Sequence, residues 1–130
     1  NGHWGKQLAI AITGPELNFP SSNEKENAAW TKSYPTTALF PMMALVKKVR
    51  ESDVVNFKTP LLVLYSADDQ TVDSQETKKL FERIDSENKK LELVAYSQST
   101  GQHVLAGDIR DPQAVTPMVD SIVKWMTSVP

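Results

Sequence analysis

The 130-residue chain contains no cysteine. It therefore forms no disulfide, holds no thiolate-ligated metal and has no cysteine nucleophile. Neither sign of charge dominates, because 14 lysines and arginines stand against 16 aspartates and glutamates, for a formal charge of −2. This balance gives no strong field to attract a polyanion and argues against a nucleic-acid partner. The lack of cysteine is compatible with a reducing compartment, and we expect a cytoplasmic protein.

Long apolar runs are missing as well. No stretch approaches the roughly 18 residues of a membrane-spanning helix, so we expect no integral membrane segment. The first residues, NGHW, do not have the charged-then-apolar profile of a secretion signal. There is no initiator methionine either, and we expect the chain to be part of a longer protein. The 40% apolar and 23% charged residues are typical of one globular domain.

Two apolar runs in the second half of the chain predict parallel strands. Residues 61–65 read LLVLY, a continuous run typical of a parallel strand covered on both faces. Residues 91–96, LELVAY, begin with an alternating pattern that favours a strand near the sheet edge. A helix between them should begin after the capping residue Asp73. A last helix should begin with Thr116 as its cap and Pro117 in its first turn. Its expected inner stripe is Met118, Val119, Ile122, Val123 and Met126.

The first half of the chain predicts helices and loops. A short helix fits residues 3–13, an irregular loop fits residues 15–33, and a helix fits residues 35–52 with a kink or restart at Pro41. We therefore divide the chain into a helical and linker segment, residues 1–58, and a strand-helix-strand-helix segment, residues 59–130. The fold class is α/β.

A two-stranded sheet leaves the strand at residues 61–65 incompletely covered, because one of its hydrogen-bonding edges has no neighbour. Either the chain is the C-terminal part of a larger α/β domain, or it completes its sheet from another copy. We expect both, with a homo-oligomer formed through the open sheet edge.

Polar residues follow both predicted strands. In a parallel sheet the reactive groups lie beyond the C-terminal ends of the strands, and neighbouring strands bring these loops together. Asp69 follows the first strand and His103 follows the second. An acid beside a histidine is the arrangement of a charge-relay pair, in which the acid orients the imidazole and the other ring nitrogen takes a proton from a nucleophile. Asp68 is the competing acid.

The segments that carry this pair resemble a known family. Residues 59–73, TPLLVLYSADDQTVD, look like the acid-strand motif of the α/β-hydrolase superfamily, and residues 102–105, QHVL, are similar to its histidine loop. The similarity is to the bacterial branch of lysophospholipases, monoacylglycerol lipases and serine aminopeptidase-type hydrolases. Residues 30–35 and 39–47 look like the stretch of that branch that links the cap region to the acid strand.

The resemblance implies a fold and a set of roles. Residues 59–130 would be the last two parallel strands of an α/β-hydrolase core with their helices, and residues 1–58 would be a helical cap and linker. Asp69 would be the acid and His103 the base of a Ser-His-Asp triad that hydrolyses carboxylic esters, such as a lysophospholipid or a monoacylglycerol. An amide or peptide substrate stays open. No cofactor and no metal are implied.

The chain departs from the family at the nucleophile. The family serine lies in Gly-x-Ser-x-Gly, and the five glycines here, at positions 2, 5, 14, 101 and 107, include no pair with that spacing. We therefore expect the serine to lie upstream of residue 1 and this chain alone to be inactive. Trp30, Met42 and Met43 are candidates for lining an acyl-binding cleft, although apolar residues at helical spacing are more often core.

Two other interpretations stay open. The chain could be a non-catalytic interaction module that binds a partner through its open strand edge and its methionine-rich helix. It could also be a magnesium-dependent phosphoryl-transfer domain that uses Asp68 and Asp69 at the strand end. The second is weaker, because there is no glycine-rich phosphate loop and the histidine is then unexplained.

Overall fold

The computed structural model describes residues 10–130, which form a mixed α/β structure. It divides into two compact units, whose described parts are residues 10–52 and Asp53–Pro130. Residues 10–13 are helical, and the rest of the helix predicted over residues 3–13 lies outside the described part. Within residues 10–130 no helix is both long enough and apolar enough to cross a bilayer.

The first unit contains a small antiparallel sheet. Strand β1, Glu16–Asn18, pairs with strand β2, Ser33–Pro35. Helix α1, Glu24–Ala29, lies between them in sequence. The prediction of an irregular loop over residues 15–33 is therefore wrong. Three-residue strands are too short to show an alternating pattern. Next to them Phe19, which follows β1, stacks on Tyr34 of β2 with ring centroids 4.9 Å apart.

The long helix of the first unit, α2, spans Leu39–Arg50 and follows a 3-10 turn at Thr36–Ala38. The predicted start at residue 35 is therefore four residues early. Pro41 lies in the first turn of α2, where a backbone N–H has no intrahelical partner, so it neither kinks nor interrupts the helix. Residues 41–50 are all exposed, so the apolar side chains in this part of the helix are uncovered.

The second unit contains the predicted parallel pair. Strand β3, Leu61–Tyr65, pairs with strand β4, Lys89–Leu93, and their parallel pairing is confirmed. Helix α3, Ser74–Arg83, connects them and begins after Asp73, whose carboxylate accepts the Gln75 N–H at 2.8 Å. Strand β4 begins two residues before its predicted start and ends three residues before its predicted end. One further backbone hydrogen bond follows it, from the Val94 N–H to the Tyr65 carbonyl at 2.8 Å.

The last helix, α4, spans Val115–Ser128, so the predicted cap at Thr116 is wrong. Ala114 precedes the helix and has no capping side chain. The predicted inner stripe is correct only in part, since Met118 and Ile122 are half-buried. The other three members of that stripe are exposed: Val119, Val123 and Met126.

The strand β3 is less covered than a continuous apolar run predicts. All five of its residues are half-buried rather than buried. Within residues 10–130 the apolar side chains that are fully buried are those of Val94 and Ala114, both in the second unit. The core therefore lies at the C-terminal end of the parallel pair, next to the loops that carry the candidate site.

Candidate functional site

The acid and the histidine predicted from the sequence are in contact. The Nδ1 atom of His103 lies 2.9 Å from Oδ2 of Asp69. The Asp69 side chain is 15% exposed and the His103 side chain 46% exposed, so the carboxylate is sheltered while the imidazole reaches solvent. Each residue lies on the loop that follows one strand of the parallel pair, and the fold itself therefore brings them together.

The loop after β3 also holds the second oxygen of Asp69. Its Oδ1 atom accepts the backbone N–H groups of Thr71 at 2.7 Å and Val72 at 2.9 Å. Burial raises the pKa of this carboxyl group, but the hydrogen bonds from His103 and the two backbone amides outweigh burial, and the pKa lies below its ordinary value. Asp69 is therefore a carboxylate at neutral pH.

The charge of Asp69 sets the tautomer of His103. An ionised carboxylate is an acceptor only, so the Nδ1 atom of His103 must carry the hydrogen of the 2.9 Å contact. In the neutral ring the hydrogen is then absent from Nε2, which is left as an acceptor. The geometry can therefore present a proton-accepting nitrogen to a group on the solvent side of the ring.

Asp68, the competing acid, is exposed, and its backbone N–H donates to the Ser66 hydroxyl at 3.2 Å. Its immediate neighbour Asp69 is the one that contacts the histidine. Asp73 acts as the cap of α3, as predicted. Within residues 10–130 no cluster of three or more histidines, aspartates or glutamates is placed to hold a metal ion.

Two further contacts join the strand-end loops. The Gln70 N–H donates to the Gly101 carbonyl at 3.0 Å, and the Ser66 hydroxyl donates to Oε1 of Gln102 at 3.0 Å. Gly101 has a φ of 74°, a conformation that glycine adopts without strain. Sequence reasoning missed Ser66 and Gln102, and the one available signal was their position beside the two predicted residues.

A buried aspartate anchors the start of the second loop. Asp111 is 6% exposed, and its Oδ2 atom accepts the Gln98 N–H at 2.6 Å and the Ser97 hydroxyl at 3.3 Å. Its Oδ1 atom accepts the N–H of Ala114 at 3.2 Å, just before α4. The Gln98 hydrogen bond lowers the pKa of Asp111 more than burial raises it. Sequence reasoning missed this residue, although an aspartate just before an apolar helical pattern is a capping signal.

Asp111→Ala should lower the free energy of unfolding by about 2 kcal/mol at neutral pH, because it leaves buried backbone and hydroxyl donors unpaired. The folded pKa of Asp111 is lowered. Its stabilising contribution is therefore present above the ordinary carboxyl pKa and is lost as the pH falls through the folded value. Urea unfolding at about pH 7 and about pH 3 should show the gap between variant and wild type narrowing in acid.

The matched control is Asp120→Ala, at an exposed position on α4. That change should stay within about 0.5 kcal/mol of wild type at both values of pH. Equal effects of the two substitutions would show that Asp111 does not anchor the loop.

A hollow of about 370 Å³ opens at the C-terminal ends of β3 and β4. The lining residues are Ser66, Ala67, Asp68, Leu93, Val94, Ala95, Ser97, Gln98 and Gln102.

The predicted substrate-binding residues lie in the first unit. Trp30 ends helix α1, and Met42 and Met43 lie on α2. Their side chains are 38%, 50% and 55% exposed, respectively. Asp69 and His103 belong to the second unit, so the assignment of the three apolar residues to a substrate cleft stays a prediction.

A scan against protein-family models, a search of curated proteins and a search of solved structures each found no match for this chain.

Proposed function

We propose that this chain supplies the acid and the base of a Ser-His-Asp hydrolase of the α/β-hydrolase type, whose serine lies outside the 130 residues. The observation that carries the proposal is the 2.9 Å contact between Asp69 and His103 on neighbouring strand-end loops. The lowered pKa of Asp69 supports it, because only an ionised carboxylate fixes the hydrogen on Nδ1 of His103 and leaves Nε2 free.

In the proposed reaction the serine hydroxyl attacks the carbonyl carbon of an ester. His103 takes the serine proton at Nε2, and Asp69 stabilises the imidazolium that forms. The C–O bond to the alcohol then breaks, the alcohol leaves with the proton from His103, and the acyl group stays on the serine. Water attacks the acyl-enzyme with His103 again as the base, which releases the acid and restores the serine.

The proposed substrates are lysophospholipids or monoacylglycerols, and they rest on the resemblance of residues 59–73 and 102–105 to that branch of hydrolases. The exposed Trp30, Met42 and Met43 are apolar groups that would contact an acyl chain in the complete protein. The chemistry that we propose requires no cofactor or metal.

A non-catalytic interaction module is the second candidate, and one observation favours it. Residues Val115, Val119, Val123 and Met126 are exposed at helical spacing on α4, which gives this helix an outward apolar face. Under the hydrolase proposal the same face would be covered by other parts of the complete protein or by a second copy of the chain.

The two candidates differ in covalent chemistry. We expect a longer protein that contains this chain to react with a fluorophosphonate probe at one serine and to hydrolyse p-nitrophenyl butyrate. The 130-residue chain alone should do neither, because the nucleophile is missing from it. A longer protein that binds partners but neither reacts with the probe nor hydrolyses the ester would support the interaction module instead.

A further inference from the structure

Gln102 lies immediately before His103 and its side-chain amide makes three hydrogen bonds. Its Oε1 atom accepts the Ser66 hydroxyl at 3.0 Å. Its Nε2 atom donates to the carbonyl oxygens of Ser97 and Ser99, both at 3.0 Å. Both hydrogens of the amide nitrogen and its oxygen are thus engaged, and the contacts reach the loop after β3 as well as the loop after β4.

The backbone of Gln102 is in an unusual conformation. Its φ is 51°, and within residues 10–130 it is the one non-glycine residue with a positive φ. A residue with a Cβ adopts a positive φ only at a cost in backbone strain, so the surrounding contacts must hold Gln102 in this conformation. The two protein segments that the amide joins are the ones that carry Asp69 and His103.

We propose that Gln102 is a positioning residue for His103. Its amide joins the two strand-end loops and holds the left-handed backbone turn that aims the imidazole at Asp69. Only the catalytic use of the imidazole rests on the proposed function. The Asp69–His103 contact that Gln102 would hold is present in this chain whatever the function is. Glutamine is suited to the position, since an acidic side chain would face two carbonyl oxygens and an apolar one would leave them unpaired.

The test is the tautomer of the neutral His103 ring, measured by ¹⁵N NMR of the 130-residue chain in alkaline solution. In wild type the Nδ1 signal should be that of a protonated, pyrrole-type nitrogen. In Gln102→Met, which keeps the length of the side chain and removes its hydrogen bonds, the signal should move to a position averaged between the two tautomers. The His3 signals are assigned with a His3→Gln variant.

The control is Gln75→Met, the same substitution at an exposed glutamine in the first turn of α3. It should leave the Nδ1 signal of His103 unchanged. A folded Gln102→Met protein that keeps the pyrrole-type signal would overturn the role of Gln102 and leave the proposed function intact. A wild-type chain without that signal would overturn the Asp69–His103 pairing as well, so the two failures are distinguishable.

A second variant covers the case in which Gln102→Met does not fold. Ser66→Ala removes one hydroxyl, at a buried position, and keeps the other two bonds of the amide. It should speed hydrogen exchange at the Gln70 amide, which donates across the loops to Gly101. Unchanged exchange at Gln70 together with an unchanged His103 signal would show that the amide does not hold the loops in register.

Discussion

His103→Ala should lower kcat for p-nitrophenyl butyrate by at least about a thousandfold in a longer protein that contains this chain and its nucleophile. The reason is the free Nε2 atom, which is the group that we propose to take the serine proton. Removing the imidazole leaves Asp69 without its partner at 2.9 Å, but it leaves the backbone bonds to Asp69 in place. The fold should therefore survive, and circular dichroism should show it.

Asp69→Asn should cause a loss of similar size by a different route. The Oδ1 atom at this position already accepts two backbone N–H groups, so the asparagine carbonyl should stay there and turn its amide nitrogen towards His103. An N–H donor facing Nδ1 makes that nitrogen the acceptor, and the ring hydrogen then moves to Nε2. The base would be held in the wrong tautomer, and kcat would fall although the volume of the side chain is unchanged.

The matched control for both variants is His3→Ala, which removes the other histidine of the sequence. It should leave kcat within a few-fold of wild type. A His103→Ala protein with an unchanged rate would end the catalytic interpretation of the pair, whatever the effect of Asp69→Asn.

The 130-residue chain should be ordered only as an associated species, with a melting temperature that rises with protein concentration. Leu61 donates its N–H to Asn88, and Tyr65 accepts from Val94, so these residues direct their backbone groups towards β4. Because a strand alternates, Leu62 and Leu64 direct theirs to the opposite edge. Within the described residues no strand pairs with that edge.

Apolar exposure points the same way. Apolar side chains on α2 and α4 are exposed. Association that removed them from water would contribute about 25 cal/mol of stability for each Å² of apolar surface buried. Summed over several large side chains, this is comparable to the whole stability of a small domain, about 5 to 15 kcal/mol. Sedimentation velocity together with melts at several concentrations measures the effect. A well-folded monomer with a cooperative melt independent of concentration would contradict it.

Two proline variants identify the surface involved. Leu64→Pro removes a donor from the open edge of β3 and spares the ladder to β4, so it should abolish association through that edge. Val63→Pro removes a donor that faces β4 and should unfold the second unit. An oligomer that persists in Leu64→Pro would instead indicate exchange of part of the first unit between copies.

Features that depend on residues close in sequence were predictable. The run LLVLY gave β3 at its observed bounds, and Asp73 gave the start of α3. The Asp69–His103 contact also followed from the sequence, because parallel strands bring their C-terminal loops together.

Most other features that depend on contacts between residues distant in sequence were not predictable. The role of the buried Asp111 is one of these features, because nothing in the local pattern distinguishes a carboxylate that will reach back to Ser97 and Gln98 from one in solvent. The three bonds of Gln102 likewise exist only once two loops are assembled. The local sequence can favour a turn at Gln102, but it cannot specify which carbonyl groups the side-chain amide of Gln102 will contact.

The small core has a consequence for the response of the chain to temperature. Unfolding raises the heat capacity mainly because apolar surface meets water, typically by about 12–15 cal/mol/K per residue. Val94 and Ala114 are the apolar side chains fully buried within residues 10–130, so this chain by itself hides less apolar surface than a domain with a well-filled core. We therefore expect its free energy of unfolding to curve less with temperature than that of such a domain, and covering α2 and α4 would increase the curvature.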